Sequence, residues 1–199
     1  RAGLAMTAAT TTAIYSVYVS MVYLMAMPGG WFGDRVWGAR KTVAIAGFVI
    51  MGGHLSLALP GQAMFFVGLI LVAVGSGLLK ANISTMVGHL YDGPEDPRRD
   101  GGFTLFYVGI NLGAFVAPLV VGTVGKEHNW HLASPSPPSG MGLGLTQFLL
   151  GTKHLSPKSS VVPNPLSADE RKAVLTKVAL AVLGIAVFYG AVVALAPTP

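Results

Sequence analysis

The sequence predicts an all-α fold, a polytopic transmembrane helix bundle, and three observations support this class. First, 52% of the 199 residues are hydrophobic, 11% are charged and the mean hydropathy is +0.62. Second, four segments without Asp, Glu, Lys or Arg each exceed the ~20 residues that a spanning helix needs. Third, most cations fall in loops that would share one side of a membrane, as in positive-inside topologies. The uncharged segments are residues 2–33, 42–79, 101–125 and 178–199.

Glycine and proline signals divide the chain into successive predicted helices. Pro28-Gly29-Gly30 is expected to end or loosen the first helix before a short loop at residues 31–41. The proline run at residues 134–139 cannot continue a helix, so it interrupts the fifth segment. Ser167 and Glu170 have the spacing of a capping box, which predicts the start of the last helix. The predicted helices span residues 4–32, 40–59, 62–90, 103–124, 132–151 and 168–196.

Lys80 lies near the middle of an apolar stretch, residues 75–91, that is expected to cross the bilayer. A charge at that depth costs roughly 2.5–3.5 kcal/mol, so an ionisable residue inside a membrane is a candidate for function. Because all the acids lie in predicted loops or at helix ends, the acidic partner of Lys80 is expected outside this chain. At helical spacing Lys80 shares a face with residues that suit a packed or water-lined surface, namely Ser76, Gly77, Ser84 and Gly88.

Other polar side chains in the predicted spans have two interpretations each. Asn111 in the fourth helix fits equally a contact between helices and a contact with a ligand. His54 is more typical of a satisfied core residue than of a proton carrier. The first helix has a polar stripe, which marks either a neighbouring helix or aqueous cavity, or else hydroxyls bonded to their own helix, at Thr12, Ser16, Ser20 and Tyr23.

The cations predict the topology. If the loop at residues 31–41 faces the cytoplasm, Lys126 is the one loop cation that faces outward. This asymmetry accounts for the net charge of +5 without nucleic acid as a partner. The cations predicted to face the cytoplasm are Arg35, Arg40, Lys41, Arg98, Arg99, Lys153, Lys158, Arg171, Lys172 and Lys177.

The residue inventory does not predict an enzyme. There is no nucleophile–base set, phosphate-binding loop or cluster of metal ligands, so neither a cofactor nor a metal is expected. Without cysteine, disulfides are excluded and the redox compartment is undetermined. Because the chain begins at Arg1 and runs directly into an apolar segment, we expect an internal fragment of a larger polytopic protein.

Four stretches carry a family resemblance. GGWFGDRVWGARK, from Gly29 to Lys41, resembles the glycine/Asp-Arg motif that joins the second and third helices of major facilitator transporters. GSGLLKANISTMVGHLY, RRDGGFTLFYVGINLGAFVAPLVVG and NWHL resemble the proton-dependent oligopeptide transporter (POT/PTR) family. The resemblance runs from the family's second helix to its sixth and on to the first extra helix of bacterial members. It implies an N-terminal-half fragment that lacks the first helix.

The resemblance also implies roles for individual residues. Lys80 matches the lysine that pairs with a first-helix carboxylate and links proton and peptide binding. Tyr23 and Asn111 match positions that line the peptide site. The residues that match the cytoplasmic motif are Gly29, Gly30, Asp34, Arg35, Gly38, Arg40 and Lys41.

The chain departs from the family pattern at two places. Ala81 replaces a proline that often follows the lysine. The run at residues 133–141 stands where the family has a segment such as Gly-Phe-Ser-Leu-Ala-Ala-Val-Gly-Met. Loss and later regain of one G in such a gene yields Ala-Ser-Pro-Ser-Pro-Pro-Ser, so we hypothesise a compensated frameshift, which a clean resequencing read encoding the prolines in frame would overturn. If the prolines are real, the helix is expected to start near Gly140 and to be too short to span.

The resemblance implies proton-coupled symport of di- and tripeptides across the cytoplasmic membrane, in a multi-pass protein. The expected partners are peptides, protons, the lipid bilayer, the missing first helix and the C-terminal half. The alternatives are another major facilitator transporter, for nitrate, drugs or sugars, or a non-functional truncated membrane protein. The expected division is residues 1–152 as helices of the bundle, 153–167 as a cytoplasmic linker and 168–199 as an additional helix.

Overall fold

The computed structural model describes residues 6–127, 136–174, 176, 177 and 180, which fall into two compact units divided between Pro163 and Asn164. Among these residues there is no β-strand, so the predicted all-α class is confirmed. The helices of the first unit are α1 Ala8–Leu24, α2 Ala26–Phe32, α3 Ala39–Ala58, α4 Gln62–Gly88, α5 Arg99–Glu127 and α6 Ser136–Gly151.

Four described stretches are long and apolar enough to cross a membrane, and the protein is a multi-pass membrane protein. These stretches are Ala8–Trp37, Ala39–Ala58, Gln62–Gly88 and Arg99–Thr123. Helix α6 has 16 residues, or about 24 Å at helical rise, which is less than the ~30 Å of a bilayer core.

The centre of the first unit is the antiparallel pair of α3 and α4. The α3 residue Gly53, near the end of that helix, lies against Val72, which is early in α4. At the other end Ala39 and Val43 form a buried cluster with Met86. Glycines allow the close approach, because a Cβ on Gly75 would lie 3.0 Å from the Ile50 nitrogen.

Helices α1 and α2 run parallel to α4 on its other side. Residues 13–21 of α1 face residues 66–73 of α4 across an apolar groove of about 310 Å³. Gly33, directly after α2, lies against Asn82, which is late in α4. Residue numbers on the two sides of this contact rise together, so α1 and α4 cross the membrane in the same direction.

The first predicted span is interrupted one turn before its proline, which corrects the expectation of a break at Pro28-Gly29-Gly30. Helix α1 ends at Leu24 and α2 starts at Ala26, with Met25 between them. Pro28 has no N–H to donate to the Leu24 carbonyl, so the helical ladder is lost there and not at the proline itself. Helix geometry then resumes, because the Gly29 N–H donates to the Met25 carbonyl at 2.9 Å.

The segment predicted as a loop at residues 31–41 is mostly helical. After α2, a π-helical turn covers Gly33–Trp37, and Gly38 alone separates it from α3. Gly38 has a φ of 75° and is buried, and a Cβ there would lie 3.1 Å from the Ser160 carbonyl oxygen. A positive φ and a close backbone neighbour both favour glycine at this turn.

Three loops lie at the same end of the first unit. The Arg40 guanidinium donates to Ser160 Oγ at 3.3 Å, and His89 Nδ1 lies 3.2 Å from Ser159 Oγ. The end of the π-helical turn, the end of α4 and the segment after α6 therefore meet, which agrees with the predicted grouping of their cations. The side of the membrane to which this end belongs stays a prediction.

Helix α5 begins at Arg99, four residues before the predicted start at Phe103. Asp96 organises the approach to it, since its carboxylate accepts the Arg98 backbone N–H at 2.9 Å and the Arg98 side chain at 2.8 and 3.1 Å. It also accepts the Asp92 N–H at 3.2 Å. The order of this loop therefore comes from one short carboxylate that satisfies several donors.

The Asp96 contacts predict a pH dependence of this loop. Hydrogen bonds from the Arg98 side chain, and then from its backbone N–H, hold the pKa of Asp96 well below its usual range. A carboxyl whose pKa is depressed on folding contributes order above its ordinary pKa of about 3.9, and loses it as the pH falls towards the depressed value. At neutral pH we therefore expect Asp96→Asn to speed proteolytic cleavage within residues 92–98 of the reconstituted protein.

The matched control for that experiment is Glu95→Gln, because Glu95 is an exposed neighbour in the same loop. It removes the same charge and is expected to leave the cleavage rate unchanged. Equal acceleration by both substitutions would mean that net charge, and not the Asp96 hydrogen bonds, orders the loop.

Helix α6 begins at Ser136, not near Gly140 as expected from the prolines. Pro137 and Pro138 lie in its first turn, where backbone N–H groups have no helical acceptor and proline is tolerated. Residues 128–135, which include the start of the proline run, lie outside the described residues. The structure does not test the frameshift hypothesis.

The second unit contains the predicted capping box. The Ser167 N–H donates to Glu170 Oε2 at 2.9 Å, and the Glu170 N–H donates to Ser167 Oγ at 3.3 Å. Helical backbone follows at residues 168–174. The capping box is confirmed, whereas most of the predicted helix to residue 196 lies outside the described residues. The predicted division at residues 152 and 168 stays a prediction.

Candidate functional site

Lys80 contacts the ring of Tyr23. Its Nζ lies 4.2 Å from the ring centroid, within the range of a cation–π interaction. Lys80 is exposed and Tyr23 is 62% exposed, so the pair lies on an open surface of the first unit. The structure thus joins two residues that are 57 positions apart and that the sequence had singled out separately.

The direction of the Lys80 side chain explains the contact. Side chains on a helix lean towards its N-terminus, so Lys80 reaches back towards the level of Gly77. Gly77 is the point where Met25 meets α4, since a Cβ there would lie 2.6 Å from the Met25 carbonyl oxygen. Tyr23 lies two residues before Met25, which places its ring beside the ammonium.

Two glycines bring the helices this close. A Cβ on Gly29 would lie 2.8 Å from the Leu78 Cα, and a Cβ on Gly77 would overlap the Met25 backbone. Small residues at a crossing let two membrane helices approach until their backbones touch. Gly29, which the sequence assigned to the cytoplasmic motif, therefore also forms the crossing that positions Tyr23 against Lys80.

Asn82 is a structural residue of this site that the sequence analysis missed. It is 2% exposed, and its Nδ2 donates to the Gly29 carbonyl and to the Leu78 carbonyl, both at 2.8 Å. Its Oδ1 occupies the space in front of Gly33. Two features of the sequence could have revealed this contact. Asn82 is an amide in the strongly apolar α4, and Gly29 and Gly33 have the spacing of four that lets another membrane helix approach closely.

Several serine hydroxyls of α4 and α1 donate to carbonyl oxygens of their own helix. Ser84 Oγ donates to the Lys80 carbonyl at 3.4 Å. Along the first helix, Ser16 Oγ donates to the Thr12 carbonyl and Ser20 Oγ to the Ser16 carbonyl, both at 2.9 Å. Of the two interpretations of that stripe, these hydroxyls follow the one in which they bond to their own helix.

Lys80 forms no ion pair with a carboxylate among the residues that the structure describes. The described acids of the first unit lie in loops or at the ends of helices, with Asp34 and the acids of residues 92–100 at the end of the bundle that holds the loops and Glu127 at the other end of α5. The side-chain contact that Lys80 makes among the described residues is with the Tyr23 ring, and the location of its acidic partner stays a prediction.

Asn111 lies on α5, outside the Lys80–Tyr23 pair. It is exposed, and its Nδ2 donates to the Tyr107 carbonyl at 2.8 Å. This hydrogen bond lies within α5 itself. Its predicted role at a peptide site stays a prediction.

The motif residues have different local roles. Asp34 is exposed on the π-helical turn, and Lys41 is exposed in the first turn of α3. Arg40 donates to Ser160, and Gly38 forms the turn described above. Gly30 approaches Ala81, whose Cβ would lie 3.5 Å from a Cβ at that position.

The segment after α6 packs beneath α3 and α4. Leu155 contacts the buried cluster at the start of α3, and Ser159 is 1% exposed beside His89. Part of the predicted linker at residues 153–167 is therefore packed against the helices.

No group of three or more His, Cys, Asp or Glu among the described residues could hold a metal ion. The chemistry of the site is that of a single ammonium group on a membrane helix, held near an aromatic ring.

A model of the POT family matches residues 40–188. The chain belongs to the POT family. It is 47% identical over 187 residues to an uncharacterised transporter, YclF, of Bacillus subtilis strain 168, covering 93% of this chain and 37% of that protein. It is 42% identical over 184 residues to a di-/tripeptide transporter of Lactococcus lactis subsp. lactis strain IL1403, covering 92% and 37%.

Solved POT structures have the same fold. A peptide transporter POT variant in complex with alafosfalin has a TM-score of 0.89 at 44% identity, covering 94% of this chain and 39% of that one. A POT family transporter in complex with 5-aminolevulinic acid has a TM-score of 0.88 at 32% identity, covering 96% and 39%. The chain therefore spans little more than a third of the length of the POT proteins it matches.

Proposed function

We propose that this chain is part of a proton-coupled symporter of di- and tripeptides in the cytoplasmic membrane. The observation that carries the proposal is Lys80, a cation on a helix long enough to span the bilayer, which no described carboxylate neutralises. Similarity to di-/tripeptide transporters, at 42% identity over most of the chain, supports the choice of substrate.

In this proposal, Lys80 couples the proton to the peptide. A carboxylate elsewhere in the full-length protein pairs with Lys80 when ionised and releases it when protonated. The released ammonium then attracts the peptide carboxylate, because opposite charges interact strongly in a water-poor cavity. Tyr23 and Asn111 line the same peptide site, and binding near the middle of the bilayer fits alternating access by two rocking halves.

Lipid and the rest of the protein are the other partners. The exposed apolar faces of α1 and α5 require either acyl chains or further helices around them. Peptides and protons would cross between this part and the rest of the full-length transporter. The motif from Gly29 to Lys41 would act at the cytoplasmic face of that assembly.

Uptake by the full-length protein tests the function. In proteoliposomes we expect an inward proton gradient to drive accumulation of a labelled dipeptide, and unlabelled di- and tripeptides to compete. Liposomes without protein, and liposomes with the gradient collapsed by an ionophore, are the controls. Competition by nitrate, a sugar or a drug but not by peptides would favour another major facilitator transporter and contradict the proposal.

A further inference from the structure

We infer that the aromatic ring of Tyr23 is a positioning group for Lys80, which holds the ammonium over its face when no carboxylate neutralises it. The inference goes beyond a lining role for Tyr23 and rests on the proposed function only for its consequence in transport. The contact itself is a property of the structure, with Nζ 4.2 Å from the ring centroid.

The geometry assigns the contact to the ring and not to the hydroxyl. A cation over an aromatic face is attracted by the negative face of the ring quadrupole, which phenylalanine shares with tyrosine. Phenylalanine at position 23 would therefore keep the interaction, and an aliphatic residue would lose it.

The helix crossing fixes the ring in place. Tyr23 belongs to the last turn of α1, just before the interruption at Met25. Met25 itself packs directly against Gly77 of α4. Asn82 closes the same crossing through its hydrogen bond to Gly29. Because backbone contacts position both side chains, the pair forms without a bound ligand.

The arrangement gives Lys80 two alternative neighbours in the proposed cycle. While the coupling carboxylate is ionised, Lys80 pairs with it. When that carboxylate is protonated, the ring keeps the ammonium at the site, since a free lysine side chain would otherwise sample many rotamers. An ammonium held in place can meet the peptide carboxylate without first being ordered.

Nuclear magnetic resonance on the full-length protein in nanodiscs tests the contact directly. With lysine labelled by ¹³C at the ε position, the Lys80 resonance is identified by its absence in Lys80→Arg. We expect its ε protons to be shifted upfield by the ring, relative to the exposed Lys153. The shift should be lost in Tyr23→Leu and kept in Tyr23→Phe.

The matched control is Tyr15→Leu. Tyr15 is on the same helix at 66% exposure and lines a different groove, against Phe65 and Leu69. This variant should leave the Lys80 resonance in place. Cross-relaxation between the Lys80 ε protons and the ring protons of Tyr23 gives a second measurement on the unmodified protein, in case Tyr23→Leu does not fold.

Transport by the same variants tests the consequence. We expect proton-driven dipeptide accumulation to be lost in Tyr23→Leu and rescued in Tyr23→Phe. An unshifted Lys80 resonance, or a shift that survives Tyr23→Leu, would overturn the inference, as would a loss of accumulation in Tyr23→Phe equal to that in Tyr23→Leu. A shifted resonance in a protein that does not transport dipeptides would reject the proposed function and leave the contact established.

Discussion

Replacing Lys80 with alanine in the full-length protein is expected to abolish proton-driven accumulation of dipeptide. A gradient of one pH unit is worth about 1.4 kcal/mol per proton, which supports roughly a tenfold concentration ratio for each proton coupled. Without the cation that links the proton to the peptide, the ratio of internal to external peptide should fall to about 1. Flow dialysis or filtration of proteoliposomes with labelled dipeptide measures it.

Lys153→Ala is the matched control for this prediction. Lys153 is an exposed lysine in the short turn after α6, so the substitution removes the same side chain away from the helix crossing. Proteoliposomes with the Lys153→Ala protein should accumulate dipeptide to the same ratio as those with the unmodified protein. If Lys80→Ala kept both the accumulation and its pH dependence, the coupling role proposed for Lys80 would be wrong.

Replacing Gly77 with alanine is expected to destabilise the protein by about 1–3 kcal/mol, although alanine favours helix. The added Cβ would overlap the Met25 backbone, which cannot move aside as a flexible side chain could. The helices must separate, and the separation weakens the Asn82 hydrogen bond to Gly29. The free energy of unfolding can be measured by titrating the purified full-length protein with sodium dodecyl sulfate and monitoring its helicity by circular dichroism.

Gly101→Ala is the control with the opposite expected sign. Gly101 is exposed within the first turn of α5, and a Cβ there has nothing within 4 Å in the structure. Replacing a glycine with alanine at an unhindered helical position stabilises the folded protein by up to about 1 kcal/mol. Destabilisation by both substitutions to the same extent would contradict the view that the Gly77 crossing is specifically close.

The fold class and most of the helices could be predicted from the sequence, because uncharged segments of spanning length have one stable solution in lipid. Every backbone polar group there must be satisfied within the segment, and the α-helix does this. The predicted spans at residues 40–59 and 62–90 differ from α3 and α4 by at most two residues at each end.

Helix ends were less predictable where proline or polar residues occur. Pro28 acts one turn upstream, through the carbonyl that it leaves without a donor, so the break appears at Met25. Pro137 and Pro138 fit the first turn of α6, where no N–H is needed. At residues 92–98 the order depends on the geometry of Asp96, and composition does not reveal such geometry.

The candidate site was predicted in part. Lys80 was evident because a charge in an apolar helix is costly, and the location of its acidic partner stays a prediction. Asn82, two residues further along the same helix, was overlooked although it is the buried polar residue at the crossing. Tyr23 was selected by its place in a polar stripe, yet its recorded contact is made by its ring.

The sequence by itself determined that this is an all-α membrane protein of the POT family with a cation inside a predicted span. Those conclusions follow from composition, spacing and motif, which are local properties of the chain. Only the tertiary structure decided that Lys80 meets Tyr23, because that contact depends on how closely α1, α2 and α4 pack. The closeness comes from Gly29 and Gly77, whose missing side chains matter only once the two helices face each other.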